Sequence, residues 1–453
     1  MYSLDDTIAA ISTPLGEGGI GIVRMSGPEA VAILEKIFRR AKGEGLESYR
    51  LHYGHIVDPQ TQEEIDEVLV SYMKAPRSYT RQDVVEINCH GGITPLRRVL
   101  ELALRHGARL AHPGEMTCRA FLLGRLDLAQ AEAVLDIVRA KTEASLRVAL
   151  HQLGGWLSQE VRGVRKELVE ILAYLEATID FEEDEIPERD MERPLRQARE
   201  KIEGLLGNAD QGIIYRQGVR VAIVGRPNVG KSSLLNALLR TNRAIVTPIP
   251  GTTRDTVEES LNLRGIPLTL IDTAGISEGK DLVERLGVER SREALERADL
   301  ALLVIDGNEA LQDEDWEIAN LIEGRPVLLI VNKIDLPPQA TLDGFLPDVP
   351  RLLVSALTGE GLGALEEAMA EMVLSGRVMT SELPLVSNPR HKEALQRALS
   401  HLQTLEESHR RSLPADFLAI DLQAAVNALG EITGETASEE LLEVIFSQFC
   451  LGK

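Results

Sequence analysis

Residues 225–232 read Gly-Arg-Pro-Asn-Val-Gly-Lys-Ser, after an apolar run at Val219–Val224 and before a helical stretch at Ser233–Leu239. A strand, a glycine-containing turn and a helix in this order form a phosphate-binding loop, in which the glycines let backbone N–H groups face phosphate oxygens. We expect the Lys231 ammonium to reach the β- and γ-phosphates and the Ser232 hydroxyl to bind Mg²⁺. By itself, the loop predicts only that the chain binds a nucleoside triphosphate.

Two motifs between residues 251 and 275 fit the segments that sense the γ-phosphate. Residues 272–275 read Asp-Thr-Ala-Gly after an apolar run, so we expect Asp272 to hold Mg²⁺ through water and the Gly275 N–H to face the γ-phosphate. Residues 251–255 read Gly-Thr-Thr-Arg-Asp and lie between this motif and the phosphate-binding loop. A first switch segment belongs there, and Thr253 is predicted as its Mg²⁺ ligand.

Two motifs further along the chain predict guanine as the base. Residues 332–335 read Asn-Lys-Ile-Asp after another apolar run and resemble the guanine-reading motif of the GTPase superfamily. The Asp335 carboxylate can accept hydrogen bonds from N1–H and N2–H of guanine, whereas adenine offers no such pair. Residues 355–357, Ser-Ala-Leu, resemble the last loop that contacts the base. The order of these motifs, each at a strand end, predicts a GTPase domain.

The residue after the Asp-Thr-Ala-Gly motif differs from that of many regulatory GTPases. They place a glutamine there to orient the attacking water, but this chain has Ile276, whose apolar side chain cannot do so. Glu284 is our candidate for the missing group, acting on the water directly or through a second one. Asn228 offers a replacement for an arginine finger, because its amide oxygen and backbone carbonyls before Gly251 could hold K⁺ against the phosphates.

The patterning around these motifs predicts a multidomain chain of α+β and α/β class. Residues 215–378 alternate apolar runs with helical segments, which is typical of a Ras-like domain with a mainly parallel sheet. Residues 120–214 and 379–453 have helical periodicity, so the α/β domain is expected to be inserted into one central helical bundle. Residues 1–119 predict an α+β domain with short strands and two helices, at Pro28–Arg40 and Ile93–His106.

The composition of the 453 residues, 44% hydrophobic and 26% charged, is that of an ordinary soluble protein. No apolar run reaches the roughly 18 residues that a membrane span needs, and the acidic start at Met1–Ala10 argues against a targeting signal. Three cysteines fit a reducing cytosol better than a disulfide framework, which predicts a cytoplasmic protein. The net charge of −22 argues against a generally basic nucleic-acid coat, though not against a local basic patch.

Segments along the whole chain resemble the MnmE (TrmE) family of tRNA modification GTPases. Residues 124–133 read Gly-Arg-Leu-Asp-Leu-Ala-Gln-Ala-Glu-Ala, and residues 449–453 read Phe-Cys-Leu-Gly-Lys, close to that family's usual Phe-Cys-Ile-Gly-Lys. The phosphate-binding loop together with residues 251–255 is similar to those of potassium-activated GTPases. The order of the predicted domains also matches the family.

The resemblance implies a folate-binding-like N-terminal domain that forms a constitutive homodimer. A tetrahydrofolate derivative (5,10-methylene or 5-formyl) would supply a one-carbon unit. An FAD-dependent partner, MnmG (GidA), would join in a heterotetramer or larger complex and supply the FAD. This complex would add an aminomethyl or carboxymethylaminomethyl group to C5 of the wobble uridine of certain tRNAs, and GTP with K⁺ would bring the two GTPase domains together.

The resemblance also assigns roles residue by residue. It implies Glu284 as the catalytic glutamate, and it implies Ser232 and Thr253 as Mg²⁺ ligands. The implied K⁺ ligands are Asn228, Thr247, Ile249 and Thr252. The implied folate contacts are Arg24, Glu86, Arg125 and Lys453. With the motifs, the predicted GTP contacts are Asn228, Val229, Gly230, Lys231, Ser232, Ser233, Thr247, Thr252, Thr253, Asp272, Thr273, Ala274, Gly275, Asn332, Lys333, Asp335, Ser355, Ala356 and Leu357.

Two residues depart from the family pattern. Cys118 stands where Lys or Glu is more usual and is expected to be a neutral surface change, and Leu451 replaces an isoleucine conservatively. Cys450 matches the family cysteine. The match favours a functional role for this thiol and leaves open whether it is a nucleophile, a base or neither.

Two alternative functions remain open from the sequence. The chain could be a ribosome-assembly GTPase switch without modification chemistry, although no C-terminal RNA-binding module is recognisable. It could also be a dimeric folate-binding scaffold whose GTPase only reports the nucleotide state. Potassium dependence would not separate the first alternative from a modification enzyme, because both groups can use K⁺, whereas folate binding would separate them in part.

Overall fold

The computed structural model describes residues 3–42, 45–180, 190–242, 259–272, 292–322, 324–374 and 386–453. Along the chain it contains a mixed sheet covered by helices, a helical bundle, and an α/β domain built on a second sheet. This architecture confirms the predicted fold class. Within the described ranges, no helix combines the length and the apolar character that crossing a membrane requires.

The N-terminal domain is a seven-stranded sheet with the order β3-β4-β5-β6-β2-β1-β7, antiparallel except for the β1–β7 pair. Arg24 in β2 is directly opposite Glu86 in β6, so the two side chains lie on the same face of the sheet. The elements are β1 (Ile8–Ile11), β2 (Gly18–Ser26), α1 (Ala30–Ile37), β3 (Phe38–Arg40), β4 (Leu51–Val57), β5 (Glu64–Met73), β6 (Val84–Gly91), α2 (Ile93–Arg105) and β7 (Arg109–Leu110).

The predicted helix Pro28–Arg40 is wrong at its C-terminal end. The helix ends at Ile37, and the next three residues form the edge strand β3, in which Phe38 lies opposite Ile56 of β4. The Phe38 side chain packs in the core of the sheet domain. Strand pairing and burial therefore override the helical spacing of the apolar residues.

Six helices follow the N-terminal sheet and begin the bundle. Helix α4 starts with a capping box, in which the Asp127 side chain accepts from the Gln130 N–H and the Gln130 side chain accepts from the Asp127 N–H, a signal that stabilises a helix start. The helices are α3 (Glu115–Leu122), α4 (Leu128–Arg139), α5 (Glu143–Leu153), α6 (Trp156–Asp180), α7 (Glu192–Gly207) and α8 (Ala209–Gln217).

The α/β domain, called the G domain below, contains a six-stranded sheet with the order β13-β12-β11-β8-β10-β9. All neighbours are parallel except β9, which pairs antiparallel with β10. Near-continuous burial of β8 and β11 fits a sheet covered on both faces. The elements are β8 (Val219–Val224), α9 (Lys231–Asn242), β9 (Glu259–Leu263), β10 (Ile266–Asp272), β11 (Leu300–Asp306), α10 (Asp313–Leu321), β12 (Val327–Asn332), β13 (Arg351–Leu353) and α11 (Leu362–Val373).

Three helices after the G domain complete the bundle. Leu402 and Leu429 from these helices share one hydrophobic core with Leu168 and Ile202 from helices before the G domain. A common core on both sides of the G domain is what an inserted domain requires. The helices are α12 (Pro389–Arg410), α13 (Ala415–Thr433) and α14 (Glu439–Ser447).

A buried polar network lies where the chain leaves and re-enters the bundle. Glu132 of α4 accepts hydrogen bonds from Arg390 Nη2 at 2.6 Å and faces His391 Nε2 at 2.7 Å. Burial acts to raise the pKa of Glu132, but His391 and Arg390 outweigh it and lower the pKa to about 2. Asp136, one turn along α4, pairs with Arg216 at 2.7 Å. Because Arg216 precedes the G domain and Arg390 follows it, the network anchors both crossings of the chain.

A second contact joins the bundle to the β9–β10 hairpin. Thr142 Oγ1 donates to the Gly265 carbonyl at the hairpin turn, at 2.8 Å. Lys141 Nζ donates to Ser260 Oγ at 2.9 Å. The hairpin ends at Asp272, the first residue of the Asp-Thr-Ala-Gly motif. The start of α5 therefore touches the strand pair that leads into a nucleotide-sensing motif.

Candidate functional sites

The phosphate-binding loop joins the end of β8 to the start of α9. Gly225 and Gly230 have φ angles of 148° and 101°, and Asn228 has a φ of 64°, so the loop turns through conformations that L side chains rarely adopt. Lys231 Nζ donates to the carbonyls of Gly225 and Arg226 at 2.7 and 2.8 Å. The ammonium therefore lies against the loop that is expected to wrap the phosphates.

A single buried amide braces this loop from the neighbouring motif. Asn332 Nδ2 donates to the Val229 carbonyl at 2.9 Å, and Asn332 Oδ1 accepts from the Ala356 N–H at 3.0 Å. A Cβ on Gly230 would lie 2.1 Å from Asn332 Nδ2, so this approach leaves room only for glycine. Asn332 thus holds the phosphate-binding loop and the Ser-Ala-Leu loop to one strand end.

The residues predicted to read guanine are also held in place. Ser355 Oγ donates to Asp335 Oδ1 at 2.6 Å, and Ser355 is buried while Asp335 is exposed. Lys333 Nζ pairs at 2.5 Å with the buried carboxylate of Asp306. The sequence analysis missed Asp306. This residue ends β11, and the strand-end argument that identified Asn332 applies to it as well.

The structure describes only some of the other predicted GTP contacts. Exposed side chains at the loop edges belong to Asn228, Ser232, Ser233 and Leu357. The structure describes Asp272 only as the last residue of β10. Residues 251–255, Ile276 and the following predicted contacts lie outside the described residues, and their roles stay predictions: Thr247, Ile249, Thr252, Thr253, Thr273, Ala274, Gly275 and Glu284.

A second polar cluster lies on the N-terminal sheet. Arg24 Nε pairs with Glu86 Oε1 at 2.8 Å, and Arg24 Nη1 donates to the Gly452 carbonyl at 3.0 Å. The Arg24 and Glu86 side chains are 22% and 24% exposed, so a ligand can reach the pair. A carboxylate in this position can accept hydrogen bonds from the N–H groups of a heterocycle.

Residues 450–453, called the Cys-Leu-Gly-Lys segment below, reach this cluster from the helical region. Burial lowers the pKa of Lys453, and the positive charge of Arg24 lowers it further. Cys450 is exposed. The structure therefore brings Arg24, Glu86 and Lys453 together. Three further hydrogen bonds hold the segment on the N-terminal domain: Ser12 Oγ to the Gly452 carbonyl at 3.1 Å, the Met116 N–H to the Lys453 carbonyl at 3.2 Å, and the Gly114 N–H to the Cys450 carbonyl at 3.4 Å.

Arg125, the fourth predicted folate contact, lies beside an aromatic ring. Its guanidinium carbon is 4.7 Å from the Tyr79 ring centroid, which is cation–π distance. The Tyr79 hydroxyl is 2.9 Å from Thr117 Oγ1. Burial raises the pKa of Tyr79, while the bond to Thr117 and the charges of Arg125 and Arg24 oppose the rise. Tyr79 is thus within electrostatic reach of both arginines. Sequence analysis missed it because no motif marks it.

The prediction that Cys118 lies on the surface is wrong. Its side chain is 4% exposed and packs with Leu128 and Phe446 in an apolar cluster. The reason is that helix α3 is covered by neighbouring helices where a surface was expected. Burial raises the pKa of the Cys118 thiol to about 12, which makes it unreactive at neutral pH.

Comparison with known families identifies the family to which this chain belongs. The family described as MnmE helical domain matches residues 128–450, and the family described as GTP-binding protein TrmE N-terminus matches residues 7–125. The chain belongs to the MnmE family of tRNA modification GTPases. The braced loops described above are therefore those of an MnmE-type GTP hydrolase.

Curated MnmE proteins match this chain along nearly its whole length. The tRNA modification GTPase MnmE of Desulforamulus reducens is 50% identical over 463 residues, covering 99% of this chain and 100% of the relative. The MnmE protein of Roseiflexus castenholzii is 52% identical and covers 99% of both chains. That of Bacillus subtilis is 49% identical and covers 99% and 100%. The similarity thus extends over the N-terminal sheet, the bundle and the G domain.

Proposed function

We propose that this chain is a potassium-activated GTPase that takes part in modifying C5 of the wobble uridine in certain tRNAs. A tetrahydrofolate derivative, 5,10-methylene or 5-formyl, supplies the one-carbon unit. An FAD-dependent partner, MnmG (GidA), brings the flavin, and the product carries an aminomethyl or carboxymethylaminomethyl group. The chain acts in the cytoplasm as a homodimer within a heterotetramer or larger complex with this partner.

The observation that carries the folate part is the cluster of Arg24, Glu86 and Lys453. A half-buried carboxylate paired with Arg24, with Lys453 near the same arginine, suits a pterin. The carboxylate would accept from ring N–H groups, and the two cations would bind the carbonyl oxygen and the anionic tail. A GTPase that serves only as a switch has no need of such a cluster. This favours a modification enzyme over a ribosome-assembly switch. Cys450, exposed on the same segment, is the proposed additional functional thiol.

The residues proposed to hold the two cations offer oxygen atoms of the kind that each cation prefers. Hydroxyl oxygens of Ser232 and Thr253, with Asp272 through water, are the hard ligands that Mg²⁺ prefers. The exposed amide of Asn228, with backbone carbonyls of Thr247, Ile249 and Thr252, offers the oxygen set that suits K⁺. Bound K⁺ would supply positive charge where negative charge accumulates in the transition state. Lys231 lies against the same loop and adds its own charge.

Orientation of the attacking water is proposed for Glu284. Ile276 cannot hydrogen-bond to water, so another residue must hold it in line with the γ-phosphate. A carboxylate can accept a hydrogen bond from the attacking water, either directly or through a second water. Replacing Glu284 by alanine should therefore reduce hydrolysis while GTP binding remains.

The experiment that tests the proposal is a nucleoside analysis of total tRNA. Cells lacking the protein should lose the 5-substituted wobble uridines in mass spectrometry. The wild-type chain should restore them, and Glu284→Ala should not. Normal wobble uridines in the deletion strain would refute the modification role and make the ribosome-assembly switch the better explanation of the GTPase.

The cation part has its own test. GTP hydrolysis by the purified chain should be faster in KCl than in NaCl at equal ionic strength, and Asn228→Ala should remove the difference. A matched control is Asn320→Ala, which changes an exposed asparagine in α10 of the same domain. Equal rates in the two salts for the wild type would exclude K⁺ as the activator.

A further inference from the structure

A cavity of the N-terminal domain lies next to Tyr79. Its volume is about 480 Å³. The loop that forms much of its wall runs from Met73 to Arg81, between β5 and β6. The lining residues are Tyr49, Met73, Pro76, Arg77, Ser78, Tyr79, Arg81 and Arg125.

The cavity carries an unbalanced positive charge. Among the described residues that line it, three are arginines and none is acidic. Arg77 lies 5.6 Å from the Tyr49 ring centroid, Arg81 donates to the Leu123 carbonyl at 2.9 Å, and Arg125 stacks on Tyr79. None of these three forms an ion pair with a carboxylate within the described parts of the chain. Other arginines of the same domain do: Arg24, Arg39, Arg50, Arg97, Arg98, Arg105, Arg109 and Arg119.

This contrast points to an anionic ligand. Arginine forks pair readily with carboxylates and phosphates, and in this domain most arginines have such a partner within the chain. Two of the three guanidinium groups of the cavity lie against aromatic rings. This contact orders the guanidinium groups without neutralising their charge. An arrangement of this kind keeps its hydrogen-bond donors available for a ligand.

Hydrogen bonds through the start of α3 connect the cavity wall to the segment that carries Lys453. Tyr79 bonds to Thr117, and the neighbouring Met116 N–H donates to the Lys453 carbonyl. Tyr79 therefore connects the cavity wall to the segment that lies against Arg24. Because the Tyr79 ring centroid also lies 4.7 Å from the Arg125 guanidinium carbon, a ligand at the Arg24–Glu86 pair could extend an anionic tail toward the arginines of the cavity.

We propose that this cavity binds the γ-linked glutamate tail of a polyglutamylated folate, with Arg77, Arg81 and Arg125 as the carboxylate partners. The inference rests on the proposed folate site and extends it to the form of the cofactor. Each added glutamate brings one more carboxylate. Three arginines that line one cavity can pair with several carboxylates of such a tail. The cavity residues Tyr49, Arg77, Arg81 and Arg125 are exposed, so a tail of variable length can continue into solvent.

A tRNA backbone is the competing anion, and the position of the cavity disfavours it. The three arginines surround a concavity beside Tyr79, whereas a duplex backbone needs cations spread over a surface at phosphate spacing. The experiment below separates the two anions.

The test measures binding of 5-formyltetrahydrofolate with one and with five glutamates to the full chain by isothermal titration calorimetry. Because each exposed ion pair contributes modestly and three are available, the pentaglutamate should bind about 10-fold more tightly at about 50 mM KCl. The preference should shrink to about 3-fold at about 300 mM KCl, because salt screens exposed charges. Arg77→Gln should reduce the low-salt preference to about 3-fold.

Arg97→Gln is the matched control, since Arg97 is an exposed arginine of the same domain on α2 that does not line the cavity. It should leave the preference at about 10-fold. Equal loss in both variants, or no preference in the wild type while the monoglutamate binds, would overturn the tail site and leave the folate proposal intact. Failure of the monoglutamate to bind would instead overturn the folate proposal. Weaker binding of unmodified tRNA to Arg77→Gln with an unchanged folate preference would assign the cavity to RNA.

Discussion

The nucleotide loops and the Arg24 cluster hold polar groups in two different ways. Around Asn332, the bracing hydrogen bonds run between residues 225 and 356, inside the G domain. Around Arg24, the partners come from residues 24, 86 and 452, in the N-terminal sheet and beyond the last bundle helix. The first site depends on one domain being folded. The second also depends on two domains being correctly docked, so the two sites should respond separately to mutation.

The largest expected effect is a loss of GTP binding that leaves the Arg24 cluster unaffected. Asp335→Asn should weaken GTP binding about 100- to 1000-fold, because two hydrogen bonds from guanine to a charged acceptor are lost or mismatched. Binding of xanthosine triphosphate should improve, since the amide offers a donor to its C2 carbonyl. Titration with fluorescent nucleotides measures both, and folate affinity should not change.

The control for this change is Asp348→Asn, which alters an exposed carboxylate of the same domain and should leave both nucleotides unaffected. GTP affinity within about threefold of the wild type in Asp335→Asn would contradict base reading by Asp335.

The next effect is a loss of folate binding that leaves the nucleotide loops unaffected. Deletion of the Cys-Leu-Gly-Lys segment removes the Gly452 carbonyl that orients Arg24, together with Lys453. Folate affinity should fall by about 10- to 100-fold, because a hydrogen bond that orients a charged group is lost together with the charge of Lys453. GTP affinity should stay within about twofold. Calorimetry with each ligand measures the pair of values.

Leu451→Ala serves as the control for the deletion, because Leu451 is 43% exposed and its change keeps the backbone contacts. If GTP affinity fell together with folate affinity in the deletion, the two sites would not be independent.

A smaller effect concerns the bundle that lies between the sites. Burial lowers the pKa of His391, and nearby Arg390 and Arg216 add to this, while Glu132 opposes it. Because the folded pKa lies below the unfolded value of about 6.5, the neutral imidazole contributes stability above pH 6.5 that is lost as the pH falls below it. The loss between pH 7.5 and 5.5 has an upper limit of about 1.4 kcal/mol, the value for an imidazole that stays neutral in the folded chain at pH 5.5.

Urea unfolding followed by circular dichroism at the two pH values measures this loss. His391→Gln should remove this share of the pH dependence. His90→Gln should instead enlarge the loss at the lower pH, because Asp66 raises the pKa of His90 and protonated His90 contributes stability there. An unchanged pH dependence in His391→Gln would show that the imidazole does not carry it.

The smallest effect tests whether the bundle supports the G domain at the hairpin. Lys141→Ala removes a hydrogen bond to Ser260 and should destabilise the docked hairpin by about 0.5–1 kcal/mol. Amide exchange of residues 259–263 should accelerate about two- to fivefold by mass spectrometry. Lys166→Ala, on the exposed side of α6, should have no effect, and unaltered exchange in Lys141→Ala would mean that the contact carries no stability.

The same contrast explains what the sequence could predict. The G domain was predictable because its motifs follow buried apolar strands, and strand ends of a parallel sheet meet at one edge. The contact of Arg24 with Gly452 joins residues that are 428 positions apart. No periodicity of either segment encodes that contact, and only the family resemblance indicated it.

The two wrong predictions have the same physical cause. Phe38 continues the helical spacing of α1, and Cys118 stands where the family more often has Lys or Glu, which indicated a surface position. Each environment was decided by a partner far along the chain, Ile56 for the strand and Phe446 for the helix. Local propensity gives way to tertiary packing at such positions.

The shared core of the bundle also has a consequence for synthesis on the ribosome. Leu168 and Ile202 emerge well before Leu402 and Leu429, which complete their core, and the G domain is translated in the interval from Ala209 to Val386. At roughly 5–20 residues per second, the first half of the core waits roughly 10–35 s for its partner helices. The nascent chain thus exposes an unfinished apolar surface while its G domain folds, which makes this interval the one in which a chaperone is most useful.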